Sequence, residues 1–368
     1  MYRTALTPSG KIIYRSDVKH VFKKVDAIAT DVDGTLIDIT DSYNKAICET
    51  VNFFLKKLID LTIPKKTIRE VTQKLRLTGG FNNDWDTTYT IIMGVLAKLD
   101  TDTLAYITRS LRDPCIPENP IVTVKKLDYN ESLRRILDFA DSRGLKSIEE
   151  GLQRVLEPVK YEYLKQIRRF LGYPDKLDNS LLASIFDELY YGSELYTKIT
   201  GQPPLLNVKH GLIENEEVIV EEDTLQFLKA KVKGKLGITT GRSRIATEFI
   251  LGDLLDRFFH KEALIFIEDI LRRERNIDPS IVLKPSPYTL KLCLKALSPY
   301  TVALYIGDSA EDAIMVQRVN SEGERVVFIG VYRYTIDPER AIKTFMELNA
   351  IAIIPTINEL EYLMEGSL

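Results

Sequence analysis

Two aspartates one residue apart stand in the string Asp31-Val32-Asp33-Gly34-Thr35-Leu36, directly after the apolar run Val25 to Thr30. A β-rich apolar segment that stops at glycine predicts a buried strand emptying into a turn. Alternate side chains of a strand share a face, so both carboxylates start out on one side, and Gly34 lets the backbone turn sharply beyond the tip. Carboxylates held that close repel unless a cation or a shared proton offsets the repulsion. Three more polar strings follow later apolar runs: Thr240-Gly241-Arg242, Lys284-Pro285-Ser286-Pro287 and Gly307-Asp308-Ser309-Ala310-Glu311-Asp312. Carboxylates with a hydroxyl and a lysine suit a hard cation, and Mg²⁺ usually takes one or two carboxylates plus substrate phosphate and water. The chemistry that fits is phosphoryl transfer through an aspartyl-phosphate, for which a carboxylate is an established nucleophile.

The elements that must position these residues are legible as a pattern. After residue 224 short apolar runs at 235–239, 263–267, 302–306, 326–331 and 350–354 alternate with helical stretches at 225–232, 243–259 and 288–297. Such alternation predicts a parallel sheet with right-handed crossovers, an α/β fold. In an open sheet of that kind ligands bind outside the carboxyl ends of the strands, where all four polar strings fall. Between the first strand and the second lies a helical block of roughly 180 residues, far beyond ordinary loop lengths. Its helices are expected at 41–61, 68–77, 145–171 and 180–198, with breaks at Asp113-Pro114, at 116–120 and at Gly172-Tyr173-Pro174. The economical arrangement is a sheet domain built from residues 1–40 plus 225–368 with an inserted all-helical domain at 41–224. Residues 1–24 read as an extended lead-in, with 11–14 as an edge strand.

Composition removes several other functions. The 368-residue chain is 45% hydrophobic and 28% charged, with a net charge of -3, which offers no basic field for nucleic acid. Its Lys/Arg runs, at 65–76 and 272–275, are interleaved with acids or apolar residues and read as solvated helix faces. Cys48, Cys115 and Cys293 lie far apart without metal spacing, so each reads as a core residue in a reducing compartment. No run reaches membrane-spanning length and the first twenty residues lack an apolar signal core, so a cytoplasmic location without membrane partners is expected. Three histidines in unrelated contexts leave catalysis to carboxylates. A homodimer stays open.

In order and spacing, the four strings resemble the ordered motifs of the haloacid dehalogenase-like (HAD) hydrolases, and the insert after the first is similar to their helical-cap, phosphoglycolate phosphatase-like branch. The resemblance implies a Rossmann-like core, a cap that closes over substrate, and Mg²⁺ as cofactor. It implies Asp31 as nucleophile and Asp33 as acid/base, with the Asp33 carbonyl, Asp31 and Asp308 as metal ligands. It further implies that Thr240 hydrogen-bonds a phosphoryl oxygen, Lys284 neutralises charge, and Asp312 supports the metal ligands from behind. Gly241 and Arg242 would face substrate, Arg242 capping a helix being the alternative. Thr30 departs from the aromatic residue common before the nucleophile, and the cap is unusually long.

Within the insert, Gly79-Gly80-Phe81-Asn82-Asn83-Asp84-Trp85 does not read as helix core, so Asn82, Asn83 and Trp85 are candidate substrate contacts. Packing by Trp85 and turn capping by the amides is the plainer alternative. The segments 191–193 and 211–216 share that non-core texture. The expected activity is Mg²⁺-dependent hydrolysis of a small phosphorylated metabolite, of the phosphoglycolate or sugar-phosphate kind. A phosphomutase and a non-catalytic phospho-ligand binding protein are the alternatives, and dehalogenation does not require the acid/base that Asp33 supplies.

Overall fold

The computed structural model describes residues 2–81, 83–111, 116–175, 180–274 and 277–365. Asn82, the Asp113-Pro114 break, Cys115 and Arg275 lie outside the described residues. The chain divides into two compact units, Met1–Thr40 with Glu216–Leu368, and Asp41–Asn215.

In chain order the first unit contains strands β1 (Tyr2–Thr7), β2 (Gly10–Arg15), β3 (Val25–Thr30), β4 (Ile37–Asp38), β5 (Glu217–Val218), β6 (Leu236–Thr240), β7 (Leu264–Phe266), β8 (Val302–Gly307), β9 (Val326–Val331) and β10 (Ala352–Ile354). Eight of these form one sheet in the order β1-β2-β10-β9-β8-β3-β6-β7, while β4 and β5 pair as a separate antiparallel ribbon. The strands from β10 to β7 run parallel, and β2 adds antiparallel to β10. The α/β class is therefore as expected, with one correction at the start of the chain. Residues 2–15 form a hairpin in which β1 is the edge and β2 an interior strand. The pairing partner of β2 lies more than 300 residues away, which no local pattern reveals.

Alternation along the strands splits the core between the two faces of the sheet. From β3 and β8, Ile28, Leu304 and Ile306 enter one cluster with the helix residues Leu225, Leu228, Leu255 and Leu360. Ala27, Ala29, Ala303 and Tyr305 enter the other with Leu290, Cys293, Val316 and Phe345. Helices on both sides of a parallel sheet leave its strands buried on both faces, hence their near-continuous apolar composition. Strand order reverses between β3 and β8: from β3 the chain moves outward through β6 and β7, then returns beyond β3 to β8, β9 and β10.

The second unit is helical: Ser42–Ile59, Lys65–Leu77, Asp84–Leu96, Thr101–Ser110, Tyr129–Phe139, Leu145–Val155, Pro158–Leu171, Leu181–Tyr191 and Ser193–Thr200. Its long first helix packs on Asp84–Leu96 and Leu181–Tyr191, burying Val51, Phe54, Leu55 and Leu58. Three stretches expected as single helices are pairs. Pro158 opens a new helix after Val155, Gly192 separates Leu181–Tyr191 from Ser193–Thr200, and in the first unit Gly252 divides Arg244–Leu251 from Leu254–Phe258. Proline fits the first helical turn, where its missing N–H costs nothing, so apolar periodicity runs on across a break it does not register. No helix among the described residues is long and apolar enough to cross a membrane.

Candidate active site

The carboxyl ends of β3, β6 and β8 bring three of the polar strings together at the switch in strand order, where the connections diverge and leave a crevice. The fourth, expected just after a strand, instead follows the short helix Pro279–Val282. Leaving β3, the Asp31 N–H still donates to Ile306 of β8 at 2.9 Å, and the Asp31 Oδ1 accepts from the Val32 N–H at 2.8 Å. The carbonyl of Val32 then accepts from the N–H groups of Thr35, Leu36 and Ile37, closing a tight loop. Gly34 sits in that loop at φ 67, and a Cβ there would lie 2.1 Å from Oδ2 of Asp308. Only glycine both adopts this backbone readily and lets Asp308 approach.

Lys284, in the segment before the helix Tyr288–Leu297, reaches into the same place. Its ammonium lies 2.8 Å from Oδ2 of Asp31 and 2.8 Å from Oδ1 of Asp312. Both are ion pairs at contact distance between buried groups. The Tyr305 ring, 5.7 Å away, forms one wall. Burial works against the lysine's charge, but the Asp31 and Asp312 carboxylates outweigh it and hold Lys284 well above the ordinary lysine range. Burial pushes Asp31 up to about 7, against the lowering pull of Lys284. Asp308 is held well above the usual carboxylate range, by burial first and then by Asp31 and Asp312.

Asp312 is fully buried and its oxygens are occupied. They accept from the Ser309 N–H at 3.2 Å, the Ser309 hydroxyl at 2.7 Å and the Tyr305 hydroxyl at 3.1 Å, besides pairing with Lys284. The Ser309 Oγ in turn accepts from the Asp312 N–H, so the pair forms a capping box that starts the helix Ala310–Ser321. Asp312 thus both caps the helix and anchors Lys284.

Oxygens of Asp31, Asp308 and Asp312 lie within 4.8 Å of one another. One ammonium among three carboxylates leaves an excess of negative charge, and a hard divalent cation with oxygen ligands suits that excess. Asp312 accepts three hydrogen bonds besides pairing with Lys284, against one for Asp31, so Asp31 and Asp308 are better placed than Asp312 to take such an ion.

The remaining expected residues divide. Thr240 ends β6, buried, its Oγ1 accepting from the Arg242 N–H at 3.1 Å. Gly241 is exposed, with open space where a Cβ would be. Arg242 is neither a simple helix cap nor turned outward. Its guanidinium is buried and donates to Asp33 Oδ1 at 2.9 Å and to Glu216 Oε2 at 2.5 Å. Sequence reading missed Glu216 as a site residue, because only the fold brings it to Arg242. Asn83 Oδ1 caps the helix Asp84–Leu96, accepting from the N–H groups of Trp85 and Asp86. The Trp85 indole N–H donates to Asp187 at 3.0 Å inside the helical unit.

A cavity of about 1060 Å³ elsewhere on the first unit runs beside the helix Tyr288–Leu297 and is lined by residues 298–301 and 322–325. Those residues precede β8 and β9, and Ser286, Pro287 and Tyr288, which follow Lys284, also line it; none of Asp31, Asp308 and Asp312 does.

The model of the haloacid dehalogenase-like hydrolases matches residues 25–320. No curated protein matches the sequence. Among solved structures, a target of the Northeast Structural Genomics Consortium is 20% identical with a TM-score of 0.69, over 94% of this chain and 99% of that one. A phosphatase from Thermococcus thioreducens is 21% identical with a TM-score of 0.52, over 86% and 98%. At these identities the likeness is one of fold.

Proposed function

The chain belongs to the haloacid dehalogenase-like hydrolases, and on that premise we propose that it is a Mg²⁺-dependent phosphatase of small phosphorylated metabolites, working through an aspartyl-phosphate on Asp31. One observation carries the reading: Lys284 stands 2.8 Å from Asp31, in a nest of carboxylates at the switch point of the sheet. A phosphatase described from Thermococcus thioreducens shares the fold, which fits the same reading.

Asp31 attacks phosphorus with its carboxylate oxygen while the bond to the leaving oxygen breaks. Asp33 supplies the proton that the leaving oxygen needs. In the second half Asp33 takes a proton from water, whose oxygen attacks phosphorus and frees Asp31 and inorganic phosphate. Such acid/base help typically contributes ~10²–10⁴-fold. Lys284 balances the negative charge that otherwise opposes the approach of an anion to an anion, and the Thr240 hydroxyl at the end of β6 orients a phosphoryl oxygen. Asp31, Asp308 and the backbone carbonyl of Asp33 would hold Mg²⁺, which when bound supplies further neutralisation of that charge. Gly241 leaves room beside the phosphoryl group.

The test is hydrolysis of p-nitrophenyl phosphate with Mg²⁺, lost on adding EDTA and lost in Asp31→Asn. Full activity in Asp31→Asn removes the covalent mechanism.

A further inference from the structure

The Arg242 guanidinium joins Asp33 to Glu216 in a buried row. Its two terminal nitrogens take one carboxylate each, at 2.9 Å and 2.5 Å, and the second also lies 3.4 Å from the Ala246 carbonyl. The side chains of Arg242 and Glu216 are 1% and 0% exposed, while that of Asp33 keeps 27%. The row thus runs from a dry end at Glu216 to a solvent-reachable end at Asp33. Here the wet end is the carboxyl that the phosphatase reading uses for proton transfer.

The row also ties together the two places where the chain passes between its units. Asp33 lies just before β4 and Glu216 just before β5, and these strands pair Ile37 with Val218 and Asp38 with Glu217. The Ile219 N–H adds a bond to the Leu36 carbonyl at 2.8 Å. Arg242 comes from the turn after β6 and bridges the base of that ribbon. A planar fork that engages two carboxylates restricts its own rotation, and in turn theirs.

We propose that Arg242 and Glu216 are positioning residues for Asp33. Glu216 fixes the plane of the guanidinium, and the guanidinium holds Oδ1 of Asp33, which leaves Oδ2 for proton transfer to and from substrate. The inference rests on the phosphatase reading and adds to it the means by which the acid is aimed. Loss of aim weakens proton donation to the leaving oxygen, and this matters for an alkoxide and hardly at all for a stable phenoxide.

The experiment measures kcat/KM, with Mg²⁺, for an alkyl phosphate and for 2,4-dinitrophenyl phosphate in the wild type, Arg242→Lys and Glu216→Gln. Arg242→Lys keeps the charge without the fork, and Glu216→Gln keeps the shape. The alkyl substrate should fall about 10²-fold in Arg242→Lys and about tenfold in Glu216→Gln, while the activated aryl substrate falls less than about fivefold in both. Melting curves accompany the rates, and the retained aryl activity itself reports a folded site. Equal losses on both substrates, or none on either, overturn the assignment while leaving the phosphatase reading intact. A wild type that hydrolyses neither substrate overturns that reading and this inference together.

Discussion

Replacing Lys284 with methionine removes the ammonium and keeps most of the side-chain volume. Two contacts of 2.8 Å are lost, to Asp31 and Asp312. At an effective dielectric of about 20, each is worth roughly 6 kcal/mol of Coulomb attraction. Desolvation of the three buried ions offsets most of that sum, so the expected net cost is the ~3–5 kcal/mol typical of leaving a buried pair broken. For a unit of this size each kcal/mol moves the midpoint by roughly 2–4 °C, which predicts a fall on the order of 10 °C in the transition of the α/β unit. An ion held by the folded carboxylate cluster and not by the unfolded chain stabilises by mass action, so on the Mg²⁺ reading proposed above Mg²⁺ should raise the midpoint of Lys284→Met more than that of the wild type. Turnover should drop by at least about 10²-fold, the usual scale for removing a group that stabilises developing charge. Calorimetry with and without Mg²⁺, beside a phosphate-release assay, reads all three effects. A variant that melts like the wild type, gains nothing extra from Mg²⁺ and keeps its turnover would refute the charge argument at its root.

Three further outcomes follow from single contacts. Gly34→Ala puts a Cβ 2.1 Å from Oδ2 of Asp308 in a left-handed backbone, and isothermal titration should show Mg²⁺ affinity lost along with activity; unaltered affinity would contradict the placement of Asp308. Asp187, half-buried yet walled in by its neighbours, is pushed up to about 7 by burial, against the pull of the Trp85 indole N–H. With a folded value above the unfolded one, its contribution is fully present below about pH 4 and is lost as pH rises through about 7, so Asp187→Asn should gain roughly 1–2 kcal/mol over the wild type near pH 8 and nothing near pH 4 in urea titrations. Glu188 is buried and its carboxylate accepts from the N–H groups of Leu205, Leu206 and Asn207 at 2.6–2.8 Å, so Glu188→Ala should expose the 205–208 loop to limited proteolysis and cost about 2–4 kcal/mol; wild-type protease resistance would count against that role.

The α/β class and the strand ends that carry Asp31, Thr240 and Asp308 were readable from the chain alone. A strand buried on both faces must be apolar along its length, and its end must carry polar or flexible residues, so the signal is local. The motif order brought Lys284 and Asp312 into the same reading, and the fold places Lys284 against both Asp31 and Asp312. Other features turn on partners far away in sequence. The lead-in became a hairpin because β10 offers a free edge to β2. Helical periodicity passed over the breaks at Pro158, Gly192 and Gly252, since apolar spacing does not register a change of axis. Arg242 was read by its neighbours in the turn, but its side chain is long enough to choose among several carboxylates. Which of them it met depended on the ribbon of β4 and β5, which sets Glu216 beside the turn after β6. Residue type decided what chemistry was available at the strand ends, while three-dimensional packing alone decided which charge would neutralise which, because electrostatic energy depends on distance through space and burial rather than on position along the chain.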